Sequence, residues 1–183
     1  MERTVVLLKP DAVKRAVAGE IIHRFERVGL KIVAMKMVWP NEELLRKHYR
    51  VDRKETLERL GKKTLEIYSQ YAKDAKADLG TDDPIELGKM VVGWLMSYVG
   101  GGPVIAVLLQ GRHAVDNVIS LAGPTMPVQA AAGTIRGDFS TDSAAYANEE
   151  RRGVENLIHV SGSLEEAKFE ETLWFTKDEI QDY

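Results

Sequence analysis

Cysteine is absent from the 183 residues of the chain. Disulfides, thiolate metal sites and cysteine nucleophiles are excluded with it. Proline is scarce, with six residues, and aromatic residues make up 7%. No window approaches the roughly 20 apolar residues that a membrane-spanning helix needs. Neither sign of charge dominates: 25 basic residues against 28 acidic ones leave a formal net charge of −3. That balance argues against a nucleic-acid coat protein. An anionic ligand must instead be held by a local cluster of positive groups. The apolar run Val5–Leu8 is too short for a secretory h-region and is followed at once by Lys9, Pro10 and Asp11. The expectation is a soluble, cytoplasmic protein that needs neither a disulfide nor a structural metal to fold.

What is present is clear hydrophobic patterning. Val5 and Leu7 alternate with Val6 and Leu8, so Arg3–Lys9 is apolar on both faces and reads as a central strand. Pro10 ends it and suits a helix start. Ile21, Ile22, Phe25 and Val28 form a helical stripe closed by Gly29. Lys31–Trp39 alternates as a second strand, and Asn41 caps a further helix. Leu57, Leu60, Leu65, Tyr68 and Tyr71 mark a charged helix, and Pro84 opens another through Tyr98. Val104–Leu109 is a third strand, and Ala114–Ala122 carries a helical stripe. Pro124–Thr141 reads as a long irregular segment, Ser143–Arg152 as a short charged helix and Asn156–Val160 as a fourth strand. Ser163-Leu-Glu-Glu166 fits a capping box at the start of a last helix. The order predicts an α+β, ferredoxin-like split βαβ sandwich: a four-stranded antiparallel sheet with helices on it.

Of the four histidines, His23 reads as solvated, His48 beside Tyr49 as a helix-end residue, and His113 as a surface residue. His159 differs. It sits in NLIHVSGS, at the end of an apolar strand and just before a helix N-terminus. Free N–H groups at a helix start favour an anion. Glu170 lies on the following helix, where a carboxylate that accepts one ring N–H would leave the other nitrogen nucleophilic. The competing reading is a core histidine bonded to a backbone carbonyl. Arg136 in GTIRGDFS is bracketed by Gly133 and Gly137, which suits either a phosphate contact or a glycine turn with a surface arginine. Lys9, at a strand end beside a helix start, either snorkels or meets phosphate. The Walker A and GxGxxG motifs are both missing.

Taken together, VVLLKPDAV, GEIIHRFERVGLKIVAMK, GTIRGDF, NLIHVSGS and ETLWF resemble the nucleoside diphosphate kinase family. The resemblance covers Thr4 to Tyr49 and Gly102 to Tyr183 and leaves two insertions, about residues 50–99 and 139–155, within one domain. It implies the ferredoxin-like fold and transfer of a γ-phosphoryl group between nucleoside tri- and diphosphates, in ping-pong fashion through a phosphohistidine. It implies His159 as nucleophile, Glu170 as its orienting carboxylate and Ser161 as a nearby hydroxyl. Lys9, Tyr49, Thr125, Arg136 and Asn156 match the family's phosphate and sugar contacts. Leu95, with Val91, is a candidate for the base-stacking wall. Mg²⁺ bridging the nucleotide phosphates is the implied cofactor. A hexameric or tetrameric homo-oligomer is implied, without membrane or nucleic-acid partners.

The sequence also departs from the family pattern. Ile119 stands where the family usually has an arginine on the helix before GPT. Arg112, about 10 Å away along that helix, is a poor substitute. This predicts a weaker grip on the β-phosphate, or compensation from another residue. Val160 and Gly162 replace commoner small and acidic residues after the histidine. The alternative reading is a non-catalytic nucleotide-binding regulatory module on the same fold. An RNA-binding sheet is disfavoured, because Val5–Leu8 and Val104–Leu109 carry neither aromatic nor basic side chains.

Overall fold

The computed structural model describes residues 1–183. The chain runs β1 (Glu2–Leu8), α1 (Pro10–Lys14), α2 (Ala18–Arg27), β2 (Lys31–Val38), α3 (Glu42–His48), α4 (Lys54–Gln70), α5 (Ala75–Leu79), α6 (Pro84–Gly100), β3 (Val104–Gly111), α7 (Ala114–Ala122), α8 (Ile135–Phe139), α9 (Ala144–Glu149), β4 (Ile158–Val160) and α10 (Leu164–Trp174). It divides into two compact units: Met1–Pro40 with Gly102–Thr141 and Asn156–Tyr183, and Asn41–Gly101 with Asp142–Glu155. No helix is long and apolar enough to cross a membrane.

The first unit is an α+β sandwich. Its sheet has the order β2-β3-β1-β4, and every pair of neighbours is antiparallel. The strands with apolar residues on both faces, β1 and β3, take the centre. Their alternation separates two cores. Val6, Leu8, Val107 and Leu109 pack with Ile21 and Phe25 of α2, Val118 and Ala122 of α7, and Ile135. Burying a side chain of this size contributes about 1.5–3 kcal/mol. Against the other face of β1 lies α10, with Ala167 and Trp174 buried. At the sheet edge, β2 carries a bulge between Ile32 and Ala34. The Val33 carbonyl there accepts the Gln181 N–H at 2.8 Å, and the Tyr183 hydroxyl donates to Ile32 O at 2.8 Å. Met35 and Met37 on the same strand, and Trp39 just past its end, remain exposed.

The second unit is helical. Its centre is α4 packed on α6, with α3 against α6 and α9 against α4. Two glycines set how closely α4 and α6 approach. A Cβ at Gly61 would lie 1.8 Å from Pro84 O, and one at Gly88 would lie 2.0 Å from Leu57 O. Asp83 caps α6 by accepting the Ile85 and Glu86 N–H groups, each at 2.9 Å.

Three local expectations are corrected. The segment Pro124–Thr141 is not irregular throughout, because it holds a 3₁₀ turn at Pro127–Gln129 and the helix α8. Its Thr134 caps α8 through the Gly137 N–H at 3.1 Å. The fourth strand is shorter than Asn156–Val160, because Leu157 has φ +70° and breaks the extended run. The capping box at Ser163 is half formed. Ser163 Oγ accepts the Glu166 N–H at 3.1 Å, but the Glu166 carboxylate takes the N–H of Gly162 instead of Ser163.

Candidate active site

The register of β4 on β1 decides where His159 points. It lies directly opposite Leu7, and residues opposite one another in a ladder share a face. That is the face covered by α10, so a carboxylate on the inner side of α10 can meet the imidazole. Glu170 does so: its Oε1 lies 2.6 Å from His159 Nε2. Its other oxygen accepts the Ser161 hydroxyl at 2.7 Å, and Ser161 Oγ in turn accepts the Val5 N–H at 3.2 Å. Glu170 is 1% exposed. A carboxylate buried this deeply needs both partners, and both are present. With Nε2 donating to Glu170, the neutral ring carries its lone pair on Nδ1.

Positive charge comes from two directions. Lys9 follows β1 as the N-cap of α1, and its Nζ donates to Asn156 Oδ1 at 2.6 Å. Asn156 then donates from Nδ2 to Thr125 O at 2.9 Å, so one amide links the lysine to the loop after α7. Burial, then the neighbouring Arg136 charge, lowers the Lys9 pKa to about 7, with Asp11 opposing. Burial also pushes His159 down from the ordinary imidazole value, helped by Lys9 and Arg136 and opposed by Glu166. The ring is therefore neutral near pH 7.

Arg136 is not the surface arginine that its glycine brackets allow. It is 5% exposed, and it donates to three carbonyls: Gly123 O at 2.6 Å, Ile158 O at 2.9 Å and Asn156 O at 3.3 Å. It ties the end of α7 to the strand that bears His159.

The first unit thus brings together Lys9, Thr125, Arg136, Asn156, His159, Ser161 and Glu170. Tyr49 and Leu95 belong to the second unit. Tyr49 is the C-cap of α3, with its ring edge-on to buried His48 at 4.9 Å, and Leu95 is half-buried on α6. Ile119 is 37% exposed on α7.

Sequence reasoning missed Asp11. It is buried, and its Oδ2 accepts the Leu157 N–H at 3.0 Å, while the Leu157 carbonyl accepts the Lys9 N–H at 2.8 Å. These two bonds hold Leu157 in its left-handed conformation, two positions before His159. A Pro-Asp pair at a helix start was the available signal; it read as a helix opening and as part of the family resemblance, with no role for the carboxylate.

The family model for nucleoside diphosphate kinase matches residues 2–67 and 85–180. A nucleoside diphosphate kinase of Pyrobaculum aerophilum is 46% identical over 180 residues, covering 98% of both chains. Human nucleoside diphosphate kinase 3 is 37% identical, covering 98% of this chain and 80% of its own. The crystal structure of an NDP kinase from Pyrobaculum aerophilum superposes with a TM-score of 0.95 at 44% identity and 99% coverage of each chain. The Borrelia burgdorferi enzyme, solved as a transition-state mimic with vanadate and ADP, superposes with a TM-score of 0.78 at 33% identity, covering all of this chain and 91% of its own. Both the matched residues and the sandwich that carries His159 lead to one assignment: the chain belongs to the nucleoside diphosphate kinase family.

Proposed function

We propose that this chain exchanges the γ-phosphoryl group between nucleoside tri- and diphosphates through a phosphohistidine at His159. The observation that carries the reading is the 2.6 Å contact of Nε2 with buried Glu170, which leaves Nδ1 as the attacking atom. In the first half-reaction the Nδ1 lone pair forms a bond to the γ-phosphorus. The bond from that phosphorus to the β–γ bridging oxygen breaks, and the diphosphate leaves with the electron pair. In the second, a terminal oxygen of an acceptor diphosphate attacks the phosphohistidine, and Nδ1 recovers its lone pair. Glu170 keeps the Nε2 proton in place throughout and offsets the charge that develops on the ring.

Lys9 and Arg136 supply positive potential to the transferring group. Asn156 and Thr125 are proposed to contact the nucleotide beside them. Tyr49 and Leu95 are proposed as sugar and base contacts on the sequence resemblance. Of the carboxylates near His159, Glu170 is committed to His159 and Ser161 and Glu166 to Gly162, while Asp11 holds Leu157 through Oδ2 and keeps Oδ1 buried without a hydrogen-bond partner. This donor set fits a magnesium ion carried on the nucleotide's own phosphate oxygens, where it neutralises their charge. We further propose a cytoplasmic homo-oligomer, for which exposed Met35 and Met37 on an edge strand, with Trp39 just past its end, offer a surface.

The test is incubation with γ-labelled ATP and Mg²⁺. Label that survives alkali, is lost in acid and is absent from His159→Ala supports the reading. An unlabelled protein that still binds nucleotide indicates the regulatory module instead, a reading that the exposed Ile119 in place of an arginine favours.

A further inference from the structure

Two carboxylates one turn apart on α10 grip a single short loop. Glu170 holds the His159 ring and the Ser161 hydroxyl, at 2.6 and 2.7 Å. Glu166 takes the N–H of Gly162 at 2.7 Å. Residues spaced i and i+4 share a helix face, and like charges there destabilise the helix. The contact between the two charges therefore does not favour the pair.

The loop itself explains the second carboxylate. The ladder of β4 on β1 ends at Val160, and the Ser161 N–H still reaches Val5 O at 3.2 Å. The next N–H, on Gly162, has left the sheet and is received by Glu166. Ser163 Oγ returns a bond to the Glu166 N–H at 3.1 Å, so the turn is closed from both sides. Gly162 permits the approach, since a Cβ there would lie 2.9 Å from Glu166 Oε2. Ser161, Gly162 and Ser163 form the covalent link between the strand that carries His159 and the helix that carries Glu170. Whatever fixes this turn fixes the distance between those two side chains.

We propose that Glu166 is a positioning residue for phosphoryl transfer: by clamping the Gly162 N–H it fixes the start of α10 against the end of β4 and keeps Glu170 in register with His159. The proposal rests on the reading of His159 as the nucleophile. A carboxylate in the first turn of a helix can also serve stability alone. In that case its loss lowers the melting temperature and leaves the chemical step untouched.

The experiment is single-turnover phosphorylation of the full chain by γ-labelled ATP and Mg²⁺, with the rate followed against nucleotide concentration and melting followed by circular dichroism. Glu166→Ala is expected to lower the limiting rate about tenfold, with half-saturation within about twofold of the parent. Glu166→Gln, whose amide oxygen still accepts the Gly162 N–H, is expected to recover most of the rate. Gly162→Ala, which displaces the carboxylate, is expected to behave like Glu166→Ala. A parent-like limiting rate in Glu166→Ala overturns the proposal, as does a change in half-saturation alone. Glu166→Gln as slow as Glu166→Ala also overturns it. Should Glu166→Ala not fold, Glu166→Gln and Gly162→Ala decide: a fast Gln variant with a slow Gly162→Ala supports the clamp, and any other pair of rates overturns it. Absence of label on the parent chain, or label on His159→Ala, refutes the nucleophile instead, so the two failures are distinguishable.

Discussion

Asp11 and Leu157, far apart in sequence, are joined by a 3.0 Å hydrogen bond from the Leu157 N–H to Asp11 Oδ2. That bond holds a leucine at φ +70°, a conformation that costs about 1–3 kcal/mol when nothing supports it. Asp11→Ala leaves the buried N–H unsatisfied, at about 1–3 kcal/mol. The expected outcome is a loss of stability of about that size in urea unfolding, together with slower phosphorylation of His159. Asp11→Asn, which keeps an acceptor, loses less of both.

The lowered pKa of His159 gives a pH signature. An ordinary imidazole would be about three-quarters protonated at pH 6 and would lose nucleophilicity accordingly. Here the limiting rate of histidine phosphorylation stays flat between pH 7.5 and pH 6, about as low as such assays are run. A single-turnover profile that falls through pH 6.5 contradicts the assignment.

Lys9 titrates in the opposite sense. With its pKa lowered to about 7, the free protein loses this charge as pH rises above 7. Nucleotide phosphates favour the charged form, so binding at pH 8 takes up a proton, measurable by calorimetry in buffers of different ionisation enthalpy. The ratio kcat/KM falls above pH 7, and Lys9→Arg flattens that fall. For stability, the unfolded chain holds more protons than the folded one between pH 7 and the ordinary lysine value of 10.5, so the contribution of Lys9 rises with pH across that window. Lys9→Met is accordingly more stable than the parent at pH 6, by a margin that narrows toward pH 9, as denaturant titrations at about those two pH values would show.

Ile119→Arg restores a cation on an exposed position of α7. A charge-assisted hydrogen bond to phosphate contributes about 1.5–3 kcal/mol. Nucleotide KM is expected to fall about tenfold with little change in melting temperature. An unchanged KM shows that other groups already hold the β-phosphate.

Gly61→Ala and Gly88→Ala each place a methyl group against backbone oxygen, at 1.8 and 2.0 Å. Side chains cannot relieve a clash with a neighbouring helix backbone, so α4 and α6 must separate. Each variant is expected to cost about 3 kcal/mol or more, seen as a lower melting temperature.

The central strands were legible because Val5–Leu8 and Val104–Leu109 are apolar on both faces, a pattern that only interior strands need. His159 and Glu170 were legible as a pair because a strand, a turn and a helix bring them together at a fixed spacing. The rest depended on conformations that residue types do not announce. Leucine at position 157 gives no sign of a positive φ. Arg136 lies on α8 where an irregular segment was expected, and its glycine neighbours hid the burial of its guanidinium among three carbonyls. Glu166 read as half of a capping box, and the one-residue shift to Gly162 follows from where the β1–β4 ladder ends.

A guanidinium fastened to Gly123, Asn156 and Ile158 cannot swing toward one ligand and away from another. In the mechanism proposed, the same fixed charge meets the phosphates of whichever nucleotide enters, donor or acceptor. Forward and reverse transfer then cross one barrier shaped by one immobile field. No rearrangement of this charge separates the two half-reactions, while the direction of net flux, as with any catalyst, follows the relative concentrations of the nucleotides.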